Sequence, residues 1–124
     1  MSTIKIYLEG IASSNVIVVL VPLMVIDYTT GVIAAAVNHQ LSSKIGYKGF
    51  LKKITMVLGI TAVAIVQGSL PDVPYLLTSF VLFFILNEFL SIIENLDRAG
   101  VKLPTMLVRL LINKRDEFIQ QEPN

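Results

Sequence analysis

The stretch that decides the fold is Val16–Ile26, which reads VIVVLVPLMVI and contains ten apolar residues and one proline. Beyond Asp27 the apolar character continues to Val37. A helix needs about 20 mostly apolar residues to cross a hydrocarbon core of about 30 Å. The sequence therefore predicts a first membrane span over residues 16–37.

Asp27 lies near the middle of this predicted span, so its cost has to be weighed against the apolar residues. The span holds thirteen Val, Ile, Leu and Met residues. Together they contribute about −4 to −8 kcal/mol to insertion, whereas one central aspartate costs about +3 kcal/mol. Insertion is therefore favourable. Pro22 is tolerated because neighbouring helices satisfy the backbone carbonyl that a proline leaves free.

Two further apolar stretches follow, and they predict spans over residues 54–70 and 75–93. The second span is rich in small residues, and the third carries four phenylalanines. Between them, Pro71 and Pro74 predict a tight turn, because two prolines within four residues interrupt any helix. The three spans predict an all-α integral membrane protein in which no subunit encloses a wide channel by itself.

The composition agrees with a membrane protein and excludes several kinds of site. Of the 124 residues, 54% are hydrophobic and 15% are charged, against about 25% charged in soluble chains. The absence of cysteine and the single histidine, His39, exclude disulfides, thiolate zinc sites and two-histidine metal sites. No nucleophile or phosphate-binding motif occurs in the sequence. We expect one domain over residues 1–124, without catalytic, cofactor-binding or metal-binding residues and without nucleic acid as a partner.

Lysine and arginine positions predict the orientation of the chain, because short cytoplasmic loops are enriched in both residues. The connection between the first two spans carries four lysines and no acid: Lys44, Lys48, Lys52 and Lys53. The Pro71–Pro74 turn has no basic residue, whereas residues 98–115 have five. The pattern predicts an amino terminus outside the cytoplasm, a cytoplasmic lysine-rich loop and a cytoplasmic carboxyl terminus.

The region after the third span predicts a short amphipathic helix. Gly100 is typical of the end of a helix, and Pro104 is typical of a first helical turn. Apolar residues then recur at helical spacing among charged residues, at Leu107, Leu110, Leu111 and Phe118. We expect a cytoplasmic helix over about residues 104–119 that lies on the membrane surface or packs against partner subunits.

Polar groups inside a membrane span are candidate functional residues, because they are costly to bury in lipid. A polar and small-residue face of the first helix contains Asp27, Thr30, Gly31 and Ala35. A polar arc of about 120° on the third helix contains Asn87, Glu88, Ser91, Glu94 and Asn95. These residues are candidates for subunit association or gating. For Asp27 an alternative stays open, in which it only hydrogen-bonds helices of its own subunit.

Four motifs, in order and with matching spacing, resemble those of the toxin-secretion/phage-lysis holins (phage holin family 4). The first is an Asp-x-x-x-Gly signature at Asp27–Gly31, followed by Ala34 and Ala35. The second is a serine- and glycine-rich stretch that leads into lysines, at Ser42-Ser43-Lys44, Gly46, Gly49 and Lys52-Lys53. The others are Glu-x-x-Ser-Ile-x-Glu-Asn at Glu88–Asn95 and Gly-x-x-x-Pro-x-x-Leu at Gly100–Leu107. The resemblance covers about residues 25–114.

The resemblance implies a phage or prophage protein that oligomerises in the bacterial cytoplasmic membrane and has no enzyme activity. Such holins form lesions through which a cytoplasmic endolysin reaches the peptidoglycan, and some relatives export toxins. The implied partners are further copies of the chain, the lipid bilayer, an endolysin coupled in function and, in some systems, an antiholin. Two alternatives stay open: a small oligomeric ion- or proton-coupled transporter that uses Asp27 and Glu88, and a regulatory antiholin.

Overall fold

The computed structural model describes residue 5, residues 15–70, residue 72, residues 75–110 and residues 112–113. Its three long helices are α1 (Asn15–Val37), α2 (Ser43–Ser69) and α3 (Leu76–Arg98). Each is long and apolar enough to cross a membrane, and no strand occurs in the described residues. The predicted all-α architecture with three membrane-length helices is confirmed.

The helices α1 and α3 run parallel and form the most extensive helix pair, and α2 runs antiparallel to both. Leu20 of α1 packs with Val81 of α3 in one half of the bundle. In the other half, Asn38 Nδ2 donates a hydrogen bond of 2.9 Å to the carbonyl oxygen of Arg98. The parallel arrangement therefore brings the carboxyl ends of α1 and α3 to the same side.

The two halves of the bundle differ in chemistry. In the apolar half, one buried residue from each helix forms the core, namely Leu20, Ile60 and Val81. The rings of Phe80 and Phe84 pack edge to face around it, with their centroids 4.8 Å apart. Because lipid is as apolar as these side chains, close packing rather than hydrophobic burial holds this half together. The polar half, which contains Asp27, carries the candidate site.

Helix α2 begins much earlier than the predicted span, at Ser43 rather than at residue 54. Ser42 caps it, since its side-chain oxygen accepts a hydrogen bond of 3.2 Å from the backbone N–H of Ile45. The lysine-rich segment expected to be a loop is therefore the first part of a helix. Hydropathy detects only the apolar part of a helix. Lysine is polar but has a good helix propensity, so the helix extends beyond the apolar stretch.

Both parallel helices end in a left-handed residue. His39 after α1 has a φ of 55°, and the N–H of Gln40 bonds to the carbonyl oxygen of Ala35 at 2.8 Å. Gly100 after α3 has a φ of 91° within the same hydrogen-bond pattern. This pattern satisfies the last carbonyls of a helix and suits glycine, which carries no Cβ. The prediction that Gly100 ends a helix is confirmed.

Two predicted segments lie partly outside the described residues. Residues 105–110 and 112–113 are helical, which gives a short helix after α3 as predicted. The remainder of the predicted amphipathic helix, at residues 111 and 114–119, is not among the described residues. The same holds for Pro71 and Pro74 of the predicted turn, although α2 ends at Ser69 and α3 begins at Leu76.

Candidate functional site

The polar half of the bundle is centred on one lysine that lies between two carboxylates. Lys53 of α2 donates from Nζ to Asp27 Oδ2 of α1 and to Glu88 Oε2 of α3. All three side chains are largely buried, and Glu88 is only 1% exposed. We call these three residues the charged triad. It joins the three helices through one charged group from each.

Because the charged triad is largely buried, its ion pairs have a large effect on the stability of the bundle. Taking a charge out of water costs several kcal/mol, and only close pairing with additional hydrogen bonds compensates that cost. Within the described part of the chain, no buried side-chain nitrogen or oxygen lacks a hydrogen-bond partner. Lys53 is therefore the member whose loss costs the most stability, because its removal leaves both carboxylates buried without a cation.

Asn95 of α3 completes the coordination of Asp27. Its Nδ2 lies 3.0 Å from each of three acceptors, which are the Asp27 carbonyl oxygen, Asp27 Oδ1 and Thr30 Oγ1. Both carboxylate oxygens of Asp27 thus accept a hydrogen bond, one from Asn95 and the other from Lys53. The Thr30 hydroxyl in turn donates to the carbonyl oxygen of Ile26 at 2.8 Å. This network ties α1 to α3.

Small residues of α1 allow α3 to approach this network. A Cβ added to Gly31 would lie 3.5 Å from Asn95 Nδ2, which is ordinary van der Waals contact, so the amide packs directly over this small residue. Ala34 and Ala35, one turn further, are buried. The predicted pair of small residues, Gly31 and Ala35, therefore permits close packing inside one subunit.

A partly open cavity of about 210 Å³ adjoins the charged triad. Residues of all three helices line it, among them Asp27, Gly31, Gly49, Lys53, Ser91 and Asn95. Tyr28 also lines it and lies over two glycines of α2, since a Cβ at Gly46 would come within 3.3 Å of the tyrosine oxygen. The glycines of the lysine-rich segment thus make room for both the ring and the cavity.

The structure brings many of the predicted candidates together and leaves others apart. Asp27, Thr30, Gly31, Glu88 and Asn95 belong to one network or contact it directly. Ser91 and Ala35 line the cavity. Asn87 is half-buried, whereas Glu94 is exposed. The candidates for subunit association therefore differ in burial within the single subunit, from the buried Glu88 and Asn95 to the exposed Glu94.

Lys53 is the site residue that hydropathy and charge counting do not identify, because they group it with Lys44, Lys48 and Lys52 as a topology signal alone. A signal was nevertheless present in the spacing of α2. Lys53 shares an arc of about 80° with the buried residues Met56, Ile60 and Ala64. Lys52 lies about 100° away from it around the helix and is exposed. Extending the buried face toward the start of α2 would have selected Lys53.

Comparison with known proteins places this chain in a family. A model of the bacteriophage holin family matches residues 4–115. A probable holin of Bacillus phage phi105 is 40% identical over 86 residues, which cover 68% of this chain and 63% of that protein. The uncharacterized protein Lmo0128 of Listeria monocytogenes is 34% identical over 94 residues, which cover 76% and 67%. The uncharacterized protein YqxH of Bacillus subtilis is 33% identical over 105 residues, which cover 85% and 75%. No solved structure matches the chain significantly.

Proposed function

Because the chain belongs to the bacteriophage holin family, we propose that it is a phage or prophage holin that oligomerises in the membrane and opens lesions there. Through these lesions a cytoplasmic endolysin, or a secreted toxin, leaves the cytoplasm and the host cell lyses. The holin family is not an enzyme family, and the three apolar helices support a multi-pass protein of the bacterial cytoplasmic membrane.

The observation that carries the proposal is a subunit in which the charged triad is bonded inside a bundle of membrane-length helices. Asp27, Lys53 and Glu88 contact one another, while large apolar side chains such as Val25, Phe83 and Leu86 are exposed. Such a surface is compatible with lipid, so the subunit can accumulate without leakage. A wide lesion then requires several subunits.

In the proposed lesion the helices exchange partners. The α1 face with Asp27 and Gly31 and the α3 arc around Glu88 turn toward neighbouring subunits or water. We call the three-helix arrangement of the structure the closed subunit. Hydrogen bonds between membrane helices are worth only about 0.6 kcal/mol on average, so most polar contacts of the closed subunit can be exchanged for contacts with neighbouring subunits. The charged triad is the exception, and its separation is the main barrier to the rearrangement.

The transporter alternative has one observation in its favour, which is that ionisable groups adjoin a cavity. A transporter of this kind passes ions selectively and saturably, whereas a lesion passes folded proteins. An antiholin, by contrast, delays the lysis that another holin causes. The three functions are therefore distinguished by what crosses the membrane and when.

The proposal is tested by inducible expression in a bacterium, with and without a co-expressed cytoplasmic endolysin. We expect abrupt growth arrest from the protein alone and lysis only when the endolysin is also present. Continued growth in both cultures would contradict a holin. Delayed lysis in a strain that already carries a different holin would instead indicate an antiholin.

Reporter fusions are expected to show three spans with the amino terminus outside the cytoplasm. A reporter after Ser14 or near Asp72 should be active outside, and one at Gln40 or after Glu122 should be active inside. The physical reason is the four basic residues of the lysine-rich segment, Lys44, Lys48, Lys52 and Lys53, because lysine and arginine near a span favour the cytoplasmic side. The opposite activity pattern at all four positions would refute the proposed orientation.

A further inference from the structure

We propose that the cavity beside the charged triad binds the phosphate headgroup of an anionic phospholipid. Two basic side chains at the cavity, Lys52 and Arg98, form the headgroup site. This proposal does not depend on lesion formation, because it concerns the closed subunit in its membrane.

The cavity presents two basic side chains that the described part of the protein leaves without an acidic partner. Three cations and one acid line it, namely Lys52, Lys53, Arg98 and Asp27. Lys53 is paired with Asp27 and Glu88. Across the described ranges, Lys52 and Arg98 form no ion pair. An anion that enters the cavity therefore meets two available cations.

Asp27 does not prevent an anion from binding there. Both of its carboxylate oxygens accept hydrogen bonds, one from Lys53 and the other from Asn95, so both oxygens are already engaged by donors inside the bundle. Glu94 and Asp97 are near Arg98 in the sequence, but neither lines the cavity. Apart from Asp27, the anion consequently faces basic and neutral groups.

The walls of the cavity favour a lipid over a soluble anion. Tyr28, Leu41 and Ile45 line it and are also exposed on the outside of the bundle. Tyr28 and Ile45 belong to helices that can cross the membrane. The volume of about 210 Å³ corresponds to roughly seven water molecules at about 30 Å³ each, which is enough for a phosphate group. A bound phosphate thus leaves its acyl chains beside an apolar surface, and basic pockets between membrane helices are known to bind lipid headgroups in this way.

The test is native mass spectrometry of the full chain in detergent, titrated with phosphatidylglycerol and, separately, with phosphatidylcholine. We expect one phosphatidylglycerol per subunit and roughly tenfold weaker binding of phosphatidylcholine. The double variant Lys52→Gln/Arg98→Gln should weaken phosphatidylglycerol binding by about 30-fold, since each basic residue contributes about 1 kcal/mol. Both side chains are exposed, so the helices keep their packing.

The matched control is Lys44→Gln/Lys48→Gln, which removes the same charge from lysines that do not line the cavity. This control should lower the affinity by less than about threefold. Gly49→Leu, which places a side chain in the cavity, should abolish one-to-one binding without changing the net charge. Equal losses in the two double variants would overturn the proposal in favour of general surface charge. Displacement of the lipid by millimolar inorganic phosphate would overturn it in favour of a soluble anion.

Discussion

Replacement of Lys53 by methionine is expected to destabilise the three-helix subunit by about 3–5 kcal/mol, because two buried carboxylates then lack their cation. Methionine has a similar length, so the change removes the charge rather than the packing. The free energy of unfolding can be measured in mixed micelles by titration with a denaturing detergent and circular dichroism. Because the proposed lesion requires the charged triad to separate, lysis should also occur earlier at equal protein level.

The matched control is Lys48→Met, which makes the same chemical change at an exposed lysine of the same helix that does not line the cavity. It should alter stability by no more than about 0.5 kcal/mol. The triple variant Lys53→Met/Asp27→Asn/Glu88→Gln should recover most of the lost stability, because no buried charge remains in it. Equal destabilisation by the two single variants would refute the structural role of the charged triad.

Replacement of Asn95 by alanine is expected to destabilise the same subunit by about 1–2 kcal/mol. A hydrogen bond to a charged acceptor is worth about 1.5–3 kcal/mol, whereas polar contacts between membrane helices reach at most about 1.7 kcal/mol. The expected destabilisation is centred on the overlap of these two ranges, at about 1.5–1.7 kcal/mol. Asp27 Oδ1 loses its donor in this variant, so the effect should exceed that of an ordinary helix contact. The same detergent titration measures it.

Asn87→Ala is the control for this second prediction. Asn87 lies on the same polar arc of α3 and is half-buried, but it forms no hydrogen bond among the described residues. Its replacement should change stability by no more than about 0.5 kcal/mol. If Asn87→Ala were as destabilising as Asn95→Ala, the Asn95 contacts with Asp27 would not be what ties α3 to α1.

The architecture was largely predictable, because membrane insertion depends on local hydropathy. The run at Val16–Ile26 predicts one helix of membrane length, and two more apolar stretches predict the others. The end of α3 was also predictable, since Gly100 can adopt a left-handed conformation. The start of α2 at Ser43 was not identified from hydropathy. A local signal existed in Ser42, whose side chain is a typical N-cap.

The residues of the site were easier to select than their partners. Asp27, Glu88 and Asn95 are recognisable because polar groups inside a membrane span require compensation. Their compensation by Lys53 depends on how α2 is rotated against α1 and α3, which is a property of the assembled bundle. Counting basic residues for topology treats adjacent lysines as equivalent. It therefore does not distinguish the largely buried Lys53 from the exposed Lys52.

The partner of the α3 arc also depends on tertiary structure. The sequence predicts that Glu88 and Asn95 face other helices or water, because unpaired polar groups are costly in lipid. In the closed subunit they bond to α1 and α2. The sequence pattern does not distinguish a helix of the same subunit from one of a neighbour, so roles in oligomer formation stay proposals.

The central claim, that this chain opens lesions wide enough for folded proteins, is tested most directly with purified protein in liposomes. The liposomes contain both a small dye and a folded fluorescent protein of endolysin size. The proposed function predicts that both are released together, with a delay that shortens as the number of subunits per liposome rises. Release of ions or dye with complete retention of the folded protein, at every protein density, would contradict a lesion and support a transporter.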